Sequence, residues 1–528
     1  MTLQQNSPLL LHEVLDSFVR VSPHKIAVRD INRTLTYIQW SERSERLAQS
    51  FQDIGLHKGD RVGVLAWNCL EWLEIYVAAA KSGIVVVPIN FRLSPQEILY
   101  ILKDCDASAL LVQEGLHEQL DAIRGDLSIL NDHFIYFGGT PPAHWLSYEE
   151  LIETAVKRDF LTSAEPQDPW TIMYTSGTTG APKGVIRDHH GMAMLALTTD
   201  VELSIGKNDH ALLVMPLCHA NSLNFFCAFA YAGAAITIYS RRHFDAQELL
   251  EVMGQYQCSF TSMVPTQYIM MLSLPDHQRN TSRLECVTKL MISSAPARAE
   301  TKRDIMRMFP KAGLFELYGS SEAGWVTMLH PDEQFKHLGT VGRECIGSAA
   351  IKLIDDHGNE VPDGCPGELY ARTPYTFSGY WNLPDKTAAA FRGGWCSVGD
   401  MAIRDKDGFI KLVDRKNNMI ISGGENIYPS EIEAILAQHE AVQDVAIIGI
   451  PHTLWGEAVH AIVVLCPNVN ITESELVYWC VGKIAGYKRP RSVSIIKEEN
   501  MPRTATGKIL HRVLRQRQLE NTPIEEKI

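Results

Sequence analysis

Residues 170–184, WTIMYTSGTTGAPKG, join a predicted strand to a loop of three glycines, four hydroxyl residues and one lysine. Glycines let a backbone approach an anion closely, and main-chain N–H groups, hydroxyls and an ammonium are the partners that a polyphosphate needs. The spacing is not that of a Walker loop, because Pro182 precedes the lysine and Gly184 follows it. A flexible Ser/Thr/Gly turn is the alternative, but the full string favours a phosphate-binding loop formed by Thr175, Ser176, Gly177, Thr178, Thr179, Gly180 and Lys183.

The sequence around this loop alternates between strand and helix patterns. Apolar runs predict buried strands, and amphipathic segments between them predict helices. This alternation predicts an α/β fold with largely parallel sheets. Between residues 342 and 413 short strands are separated by Asp-Gly turns, which predicts a more antiparallel, barrel-like region. The predicted strands are 61–65, 83–88, 109–112 and 211–215, and the predicted helices are 70–81 and 95–103.

A small α+β domain is predicted at the carboxyl end. Its pattern contains a helix from 429 to about 438, strands at 442–450 and 459–465, and a helix at 476–483. The polar turn before it includes Asn417, a residue type that tolerates unusual backbone angles. We therefore expect a large domain over 1–416 and a small mobile domain over 417–528, with a surface turn as the alternative interpretation of the boundary.

Composition and charge exclude several classes of protein. The chain has 528 residues, is 45% hydrophobic and carries a formal net charge of −13, with no basic patch, so nucleic acid is not an expected partner. The N-terminus lacks the features of a signal peptide, and polar residues break the most apolar stretch, 212–239, so no transmembrane segment is expected. Eleven cysteines without C-x-x-C spacing predict reduced thiols and a cytoplasmic location, and the sequence leaves an oligomer possible.

Six further segments carry groups suited to nucleotide chemistry. In a segment such as YGSSE an aromatic ring can stack on a base, while a hydroxyl and a carboxylate can hold Mg²⁺ against phosphates. Together with the loop at 175–184, these segments resemble the motifs of the adenylate-forming enzymes, which include acyl-CoA synthetases, adenylation domains of peptide synthetases and firefly luciferase. The resemblance covers essentially the whole chain in the family's motif order. The segments are 294–296 (SAP), 318–322 (YGSSE), 393–400 (GGWCSVGD), 414–418 (DRKNN), 422–429 (SGGENIYP) and 502–508 (PRTATGK).

The resemblance implies a role for each matching residue. It implies that Tyr318 and Gly319 lie at the adenine and that Ser321 and Glu322 bind phosphate and Mg²⁺. It further implies that Asp400 contacts the ribose and that Arg415 contacts the ribose or a phosphate. Lys508 is implied as the catalytic lysine between the attacking carboxylate and the α-phosphate. Ser321, the 396–398 segment and Asn417 depart from the commoner family residues. The remaining implied positions are Ser294 and Ala295 beside the nucleotide and acyl pocket, Gly423, Gly424 and Glu425 at the pantetheine tunnel, and His219 as a gate beside the acyl carbonyl.

The implied activity is that of an ATP-dependent carboxylic acid–CoA ligase that uses Mg²⁺ and works through an acyl-adenylate. The acyl pocket is expected near 216–221, 264–266 and Trp325. Ala220 stands where amino-acid-activating relatives place an Asp, so an apolar fatty, aromatic or alicyclic tail is expected. Loading of a carrier-protein phosphopantetheine is the alternative, and free coenzyme A is favoured because no carrier domain follows. A non-catalytic nucleotide sensor would be expected to lack Lys508 or Glu322.

Overall fold

The computed structural model describes residues 9–156, 164–175, 182–279, 281–293, 297–422, 425–467, 469–504 and 507–521. They form two compact units, the first within Met1–Ala350 and Ala371–Cys396, the second within Ile351–Tyr370 and Ser397–Ile528. Our predicted boundary between residues 416 and 417 falls inside the last of these segments, and it stays a prediction.

One sheet of the first unit contains the strands that flank the glycine-rich loop. Six of its strands form consecutive parallel pairs, while the two strands at one edge pair in the antiparallel direction. The eight-stranded order is β19 (Gly379–Tyr380), β9 (Lys183–Asp188), β8 (Pro169–Thr175), β4 (Val85–Ile89), β3 (Arg61–Leu65), β5 (Ala107–Gln113), β6 (Phe134–Phe137) and β7 (Leu146–Ser147).

The other large sheet of the first unit has a parallel centre and antiparallel edges. Its nine-stranded order is β16 (Arg343–Glu344), β15 (Gly324–Leu329), β14 (Gly313–Ser320), β13 (Lys289–Ser293), β12 (Phe260–Met263), β10 (His210–Leu213), β11 (Ala235–Ile238), β1 (Ile26–Arg29) and β2 (Thr34–Thr36). A small hairpin of β20 (Phe391–Arg392) and β21 (Trp395–Cys396) completes the strands of this unit within the described residues. The predicted α/β class is confirmed.

Helices follow most of the parallel strands, and their ends match local sequence signals. Ser94 and Glu97 form a capping box at the start of one helix, with Pro95 in its first turn. Gly83, at φ 76°, ends the helix before it in the left-handed conformation that glycine adopts readily. The helices are α1 (Leu11–Val21), α2 (Tyr37–Asp53), α3 (Glu71–Ser82), α4 (Pro95–Asp104), α5 (Tyr148–Thr154), α6 (His189–Leu203), α7 (Ala220–Tyr231), α8 (Ala246–Tyr256), α9 (Pro265–Leu272), α10 (Asp276–Arg279), α11 (Ala299–Met308) and α12 (Pro384–Ala390).

Strands β3, β4, β5 and β6 of the eight-stranded sheet are buried on both faces. Val64 of β3 packs into one hydrophobic cluster and its neighbour Leu65 into another. Successive strand side chains point to opposite faces, so continuous apolar runs are what a sheet covered on both sides requires. Helix α3 is buried along its whole length, and its Glu74 is satisfied by Arg43 Nε at 2.6 Å and by the hydroxyl of Tyr148 at 2.7 Å. Burial of this charge is therefore compensated by direct partners.

The second unit consists of two sheets and three helices within the described residues. The four-stranded antiparallel sheet has the order β17 (Lys352–Ile354), β18 (Pro366–Tyr370), β22 (Asp400–Arg404) and β23 (Ile410–Arg415). The five-stranded sheet joins β25 (Glu425–Ile427), β24 (Ile420–Ser422), β27 (Gly456–Leu465) and β26 (Val442–His452), with β28 (Ser492–Ile496) parallel to β27. The helices are α13 (Pro429–Leu436), α14 (Glu473–Trp479) and α15 (His511–Asn521).

Buried histidines should make the chain sensitive to acid. Burial lowers the pKa of His12, His210 and His460 to about 4 and that of His189 to about 3. The unfolded chain binds these protons near pH 6.5 and the folded chain does not, so stability rises with pH between about 4 and 6.5 and is lost as the pH falls. Each such histidine contributes up to about 1.4 kcal/mol per pH unit in this window.

The variant His460→Gln tests this expectation. His460 is 2% exposed, and its Nδ1 lies 2.7 Å from the hydroxyl of Ser492, a contact that an amide can keep without titrating. We expect urea unfolding of the variant to depend less steeply on pH between 6.5 and 4 than that of the unsubstituted chain. Parallel pH profiles for the two proteins would contradict the assignment of this slope to His460.

Candidate active site

The two strands that flank the glycine-rich loop bring its ends together. Thr175, the last residue of β8, lies opposite Lys183, the first residue of β9. The predicted loop residues Ser176, Gly177, Thr178, Thr179 and Gly180 lie outside the described residues. The antiparallel pairing fixes where the loop begins and ends. It also places the Lys183 ammonium 4.0 Å from the centre of the Tyr380 ring, a cation–π contact.

Tyr380 also contacts the predicted metal ligand. Its hydroxyl donates a hydrogen bond of 2.9 Å to Oε1 of Glu322, which is 8% exposed. One side chain therefore touches both Lys183 and Glu322, which are far apart in sequence. This contact results from β19, whose Tyr380 pairs with Val185 of β9. The structure thus brings together the loop lysine and the carboxylate of the YGSSE segment.

The YGSSE segment occupies the end of β14 and the turn into β15. Tyr318 is half-buried, and Gly319 follows it on the same strand. A Cβ on Gly319 would lie 2.2 Å from the carbonyl oxygen of Gly324, so only glycine fits where these two backbones approach. The carbonyl of Ser321 accepts a hydrogen bond of 2.9 Å from Nη1 of Arg187. The turn that carries the predicted metal ligands is therefore held by the strand that follows the glycine-rich loop.

The donor set at this turn fits Mg²⁺ bound mainly through substrate. Among the described residues, no group of three or more His, Cys, Asp and Glu side chains could hold a metal ion. Mg²⁺ usually keeps several waters and takes one or two carboxylates together with substrate phosphates. A single buried carboxylate, Glu322, next to the Ser321 hydroxyl position suits that mode of binding. The second Glu322 oxygen is not part of the Tyr380 hydrogen bond.

A second group of predicted residues lies within the second unit. Asp400 of β22 pairs with Arg415 of β23, and Arg415 Nε lies 3.1 Å from Asp400 Oδ1. Lys508 is exposed as a residue, but burial of its ammonium lowers its pKa, an effect that the charge of Arg415 strengthens and those of Asp400 and Asp414 oppose. The three predicted residues Asp400, Arg415 and Lys508 are therefore electrostatically coupled within one unit.

The backbone around Lys508 forms a turn. The Thr504 N–H donates to the Lys508 carbonyl at 2.7 Å, and the Lys508 N–H donates to Thr504 Oγ1 at 3.1 Å. Glu425 begins β25 and pairs with Ser422 of β24. The predicted tunnel glycines Gly423 and Gly424 lie outside the described residues, as do Ser294 and Ala295.

The predicted acyl gate, His219, immediately precedes α7 in the first unit. Its Nε2 atom is buried and has no hydrogen-bond partner among the described residues. Burial, reinforced by the positive charge of Arg92, lowers the pKa of His219 to about 4. The imidazole is therefore neutral near pH 7. Trp325, the other predicted pocket residue, donates through Nε1 to Thr199 Oγ1 at 2.9 Å and is buried.

Tyr380 and Arg187 are the two residues at this site that sequence reasoning missed. Tyr380 lies in a short Ser-Gly-Tyr-Trp segment with no distinctive spacing, and its role depends on a strand pairing that cannot be seen locally. Arg187 had a visible signal, because it is a charged residue directly after the apolar pair Val185 and Ile186 in the segment that leaves the loop. It is buried, and burial lowers its pKa. A strand prediction for this segment, which the sequence analysis did not make, would have marked its arginine as unusual.

Comparison with known proteins places the whole chain in one family. Residues 15–381 match the model of the AMP-binding enzymes, and residues 431–508 match the AMP-binding enzyme C-terminal domain. The chain is 33% identical to indoleacetate–CoA ligase of Aromatoleum aromaticum, over 98% of this chain and 99% of the relative. It is also 33% identical to feruloyl-CoA synthase of an Amycolatopsis species, over 94% of this chain and 97% of that protein.

Solved structures agree with the sequence comparison. An anthranilate CoA ligase in complex with anthranoyl-AMP superposes with a TM-score of 0.85 and 26% identity, covering 96% of this chain and 97% of that one. No helix of the described part of the chain is long and apolar enough to span a bilayer. The predicted resemblance to the adenylate-forming enzymes and the predicted use of ATP, Mg²⁺ and coenzyme A are confirmed at the level of the family. The chain belongs to the AMP-binding enzyme family, as an enzyme of its CoA ligase branch.

Proposed function

We propose that this enzyme is an AMP-forming acid–thiol ligase, which activates a carboxylic acid with ATP and transfers the acyl group to the thiol of coenzyme A. The observation that carries the proposal is the contact of Tyr380 with both Lys183 and Glu322. An acid and ATP are both anions, so their reaction needs positive charge close to the phosphates. The Lys183 ammonium supplies such a charge directly, and Glu322 is a potential ligand for a metal ion that would supply more. One side chain, Tyr380, holds both.

In the first half-reaction the acid carboxylate attacks the α-phosphorus, an O–P bond forms, and pyrophosphate leaves. Lys183 and the loop residues 175–180 bind the phosphates, and Tyr318 with Gly319 receives the adenine. Ser321 and Glu322 hold Mg²⁺, which when bound neutralises charge on the phosphate oxygens. Arg187 keeps the Ser321 carbonyl, and with it the turn carrying Glu322, in place.

The second unit supplies the remaining groups. Asp400 binds the ribose, Arg415 binds the ribose or a phosphate, and Lys508 stabilises the charge that develops on the α-phosphate. Rotation of a lobe about a few linker residues is a known way to reassemble a site between two steps. We propose that residues 417–528 rotate against 1–416, so that Lys508 leaves and the turn with Gly423, Gly424 and Glu425 guides the thiol to the acyl-adenylate. Thiol attack then forms the thioester and releases AMP.

The acid is proposed to have a tail that is mainly apolar. Ala220 follows the gate His219, so no carboxylate stands there to bind a substrate ammonium. Ser294 and Ala295 are proposed to line the same pocket. Relatives named for indoleacetate and ferulate support testing aromatic acids before fatty or alicyclic ones. All eleven cysteines are free, which supports the proposed cytoplasmic location.

A panel of acids tests this function directly. Purified enzyme with ATP, Mg²⁺ and each acid should exchange labelled pyrophosphate into ATP, and addition of coenzyme A should then release AMP and acyl-CoA. Phosphopantetheinylated carrier protein in place of coenzyme A is the matched comparison for the acceptor. Absence of exchange with every aromatic, fatty and alicyclic acid would overturn the proposed function. Faster acyl transfer to the carrier protein than to coenzyme A would show that the carrier protein is the acceptor.

A further inference from the structure

The first turns of α7 contain polar atoms that lack partners. Asn221 Oδ1 and Asn224 Nδ2 are buried and make no hydrogen bond with the described residues, as is also true of His219 Nε2. Folded proteins pair nearly all buried polar atoms, because a buried donor or acceptor without a hydrogen bond has lost its bonds to water and gained nothing in return. Three such atoms within six residues of one segment therefore require a common explanation. A ligand that brings its own hydrogen-bonding group supplies one.

The orientation of Asn221 decides which group this ligand must bring. Its Nδ2 donates to Ser293 Oγ at 2.9 Å, and Ser293 Oγ lies 3.3 Å from Ser262 Oγ. With the amide N–H group already used, the Asn221 carbonyl oxygen remains as an acceptor. The ligand must therefore supply a donor. Asn224 lies three residues further along the helix, on the same side. A ligand hydroxyl that donates to Asn221 can also accept a hydrogen bond from the Asn224 N–H.

The position of this cluster in the fold is that of a ligand site. Ser262 is the third residue of the four-residue strand β12, and Ser293 is the last residue of β13, so both lie at the carboxyl ends of neighbouring parallel strands. Open α/β sheets bind their ligands in the crevice outside these ends. The segment 216–221, predicted to form the acyl pocket, follows β10 of the same sheet.

The described surroundings of Asn221 include several aromatic rings. Phe225 lies one helical turn after Asn221, and its ring centre is 5.3 Å from that of Trp325 and 4.7 Å from that of Phe260. Asn, Ser and a neutral His contribute no charge, and the charge that acts on His219, that of Arg92, is positive. The cluster therefore suits a neutral donor better than an ammonium. Aromatic side chains pack well against the face of a ring.

We propose that the enzyme activates a carboxylic acid whose tail contains a ring with a neutral hydrogen-bond donor, a hydroxyl or an N–H. Asn221 Oδ1 accepts the hydrogen bond from this donor. The proposal rests on the acid–CoA ligase function and deepens it. Asn221 is thus a specificity-determining residue that acts on the tail of the acid. A site built to bond a substrate hydroxyl discriminates strongly against analogues that lack it, because its own polar group is then left unpaired.

Matched acids test the proposal without any substitution. Arylalkanoic acids that differ only in one ring substituent (hydroxyl, methoxy or methyl) are compared by kcat/KM in pyrophosphate exchange, at each ring position and for several chain lengths, with an indole acid and its N-methyl derivative beside them. We expect the best donor acid to exceed its methyl and methoxy partners by at least about tenfold. Equal values, or a preference for the methoxy or methyl acids, would overturn the proposal.

The variant Asn221→Leu tests whether Asn221 causes the preference for acids with a hydrogen-bond donor. It removes the acceptor at similar volume, and we expect it to abolish the preference for donor acids mainly through a higher KM, while methyl acids lose little. Asn68→Leu is the control, because Asn68 uses its amide on Val214, Met215 and Leu217 and should affect all acids alike. A preference that survives in Asn221→Leu would overturn the role of this residue. Absence of exchange with every acid would instead mark failure of the ligase function, a different result from exchange without discrimination.

Discussion

Lys508→Ala is expected to slow acyl-adenylate formation by about a hundred- to a thousand-fold, the usual cost of removing one placed donor from a developing oxyanion. Formation of the thioester from preformed acyl-AMP should be largely unaffected, because the proposed rotation of residues 417–528 withdraws Lys508 before the thiol attacks. The two half-reactions are measured separately, as pyrophosphate exchange and as AMP release from synthetic acyl-AMP with coenzyme A.

The control for this prediction is another lysine of the same unit. The side chain of Lys497 is 81% exposed, and its ammonium lies 3.7 Å from Glu499, a long contact and the one ion pair that it makes within the described part of the chain. Lys497→Ala should leave both half-reactions near the level of the unsubstituted enzyme. An equal loss of both half-reactions in Lys508→Ala would contradict the proposed rotation, and a normal rate of exchange would remove Lys508 from the chemistry.

The pH profile provides a second check on Lys508. Its pKa is lowered from the ordinary lysine value, with burial as the largest cause. Since the ammonium is the active form, adenylation should decline as the pH rises through this lowered pKa. Lys508→Arg keeps its charge over this range, so any activity that it retains should lack the alkaline decline.

The sequence predicted the elements and motifs well because both depend on local pattern. Continuous apolar runs predicted β3, found at Arg61–Leu65, and Gly83 ends α3 close to the expected position. The glycine-rich loop was predicted from a single string, and its flanking strands pair at Thr175 and Lys183. The roles of the individual site residues remain predictions, because a role in binding or catalysis is established by measuring the activity of variants.

What the sequence did not predict depends on contacts between distant segments. Tyr380 joins Lys183 to Glu322 only because β19 adds to the edge of the sheet beside β9, and no local spacing encodes that pairing. Asn221 lies in the predicted pocket segment 216–221, but its role as an acceptor is visible only when the burial and the missing partner of its Oδ1 are known. Such residues are found by accounting for buried polar atoms, which requires coordinates.

Lys302→Met is expected to lower the free energy of unfolding by about 3–5 kcal/mol, the range for breaking a buried ion pair from one side. Lys302 of α11 is 1% exposed and its ammonium donates to the carboxylate of Glu316, which is 4% exposed on β14. Burial raises the pKa of Glu316, and Lys302 is the charge that opposes this most. Without that lysine the carboxylate must either stay charged and unpaired or take up a proton.

Two further variants separate pairing from packing. The double variant Lys302→Met with Glu316→Leu should recover most of the loss, because apolar side chains of similar volume replace buried pairs at little cost. The exposed pair of Lys311 and Glu285, 2.7 Å apart with side chains 57% and 65% exposed, is the matched control, and Lys311→Met should cost less than about 1 kcal/mol. Urea unfolding measures all three, and a double variant as unstable as Lys302→Met would contradict the electrostatic origin.

The sign of the pH effect gives a sharper test of the same pair. In Lys302→Met the pKa of Glu316 in the folded chain should lie further above its value near 4.3 in the unfolded chain. The destabilisation by Glu316 is therefore absent at a pH where both states are protonated, and it grows as the pH rises. The loss relative to the unsubstituted enzyme should therefore be smaller at pH 5 than at pH 8. Because β14 continues from Glu316 to Tyr318, nucleotide affinity of the double variant then shows whether the pair also fixes the strand that carries the adenine-binding residue.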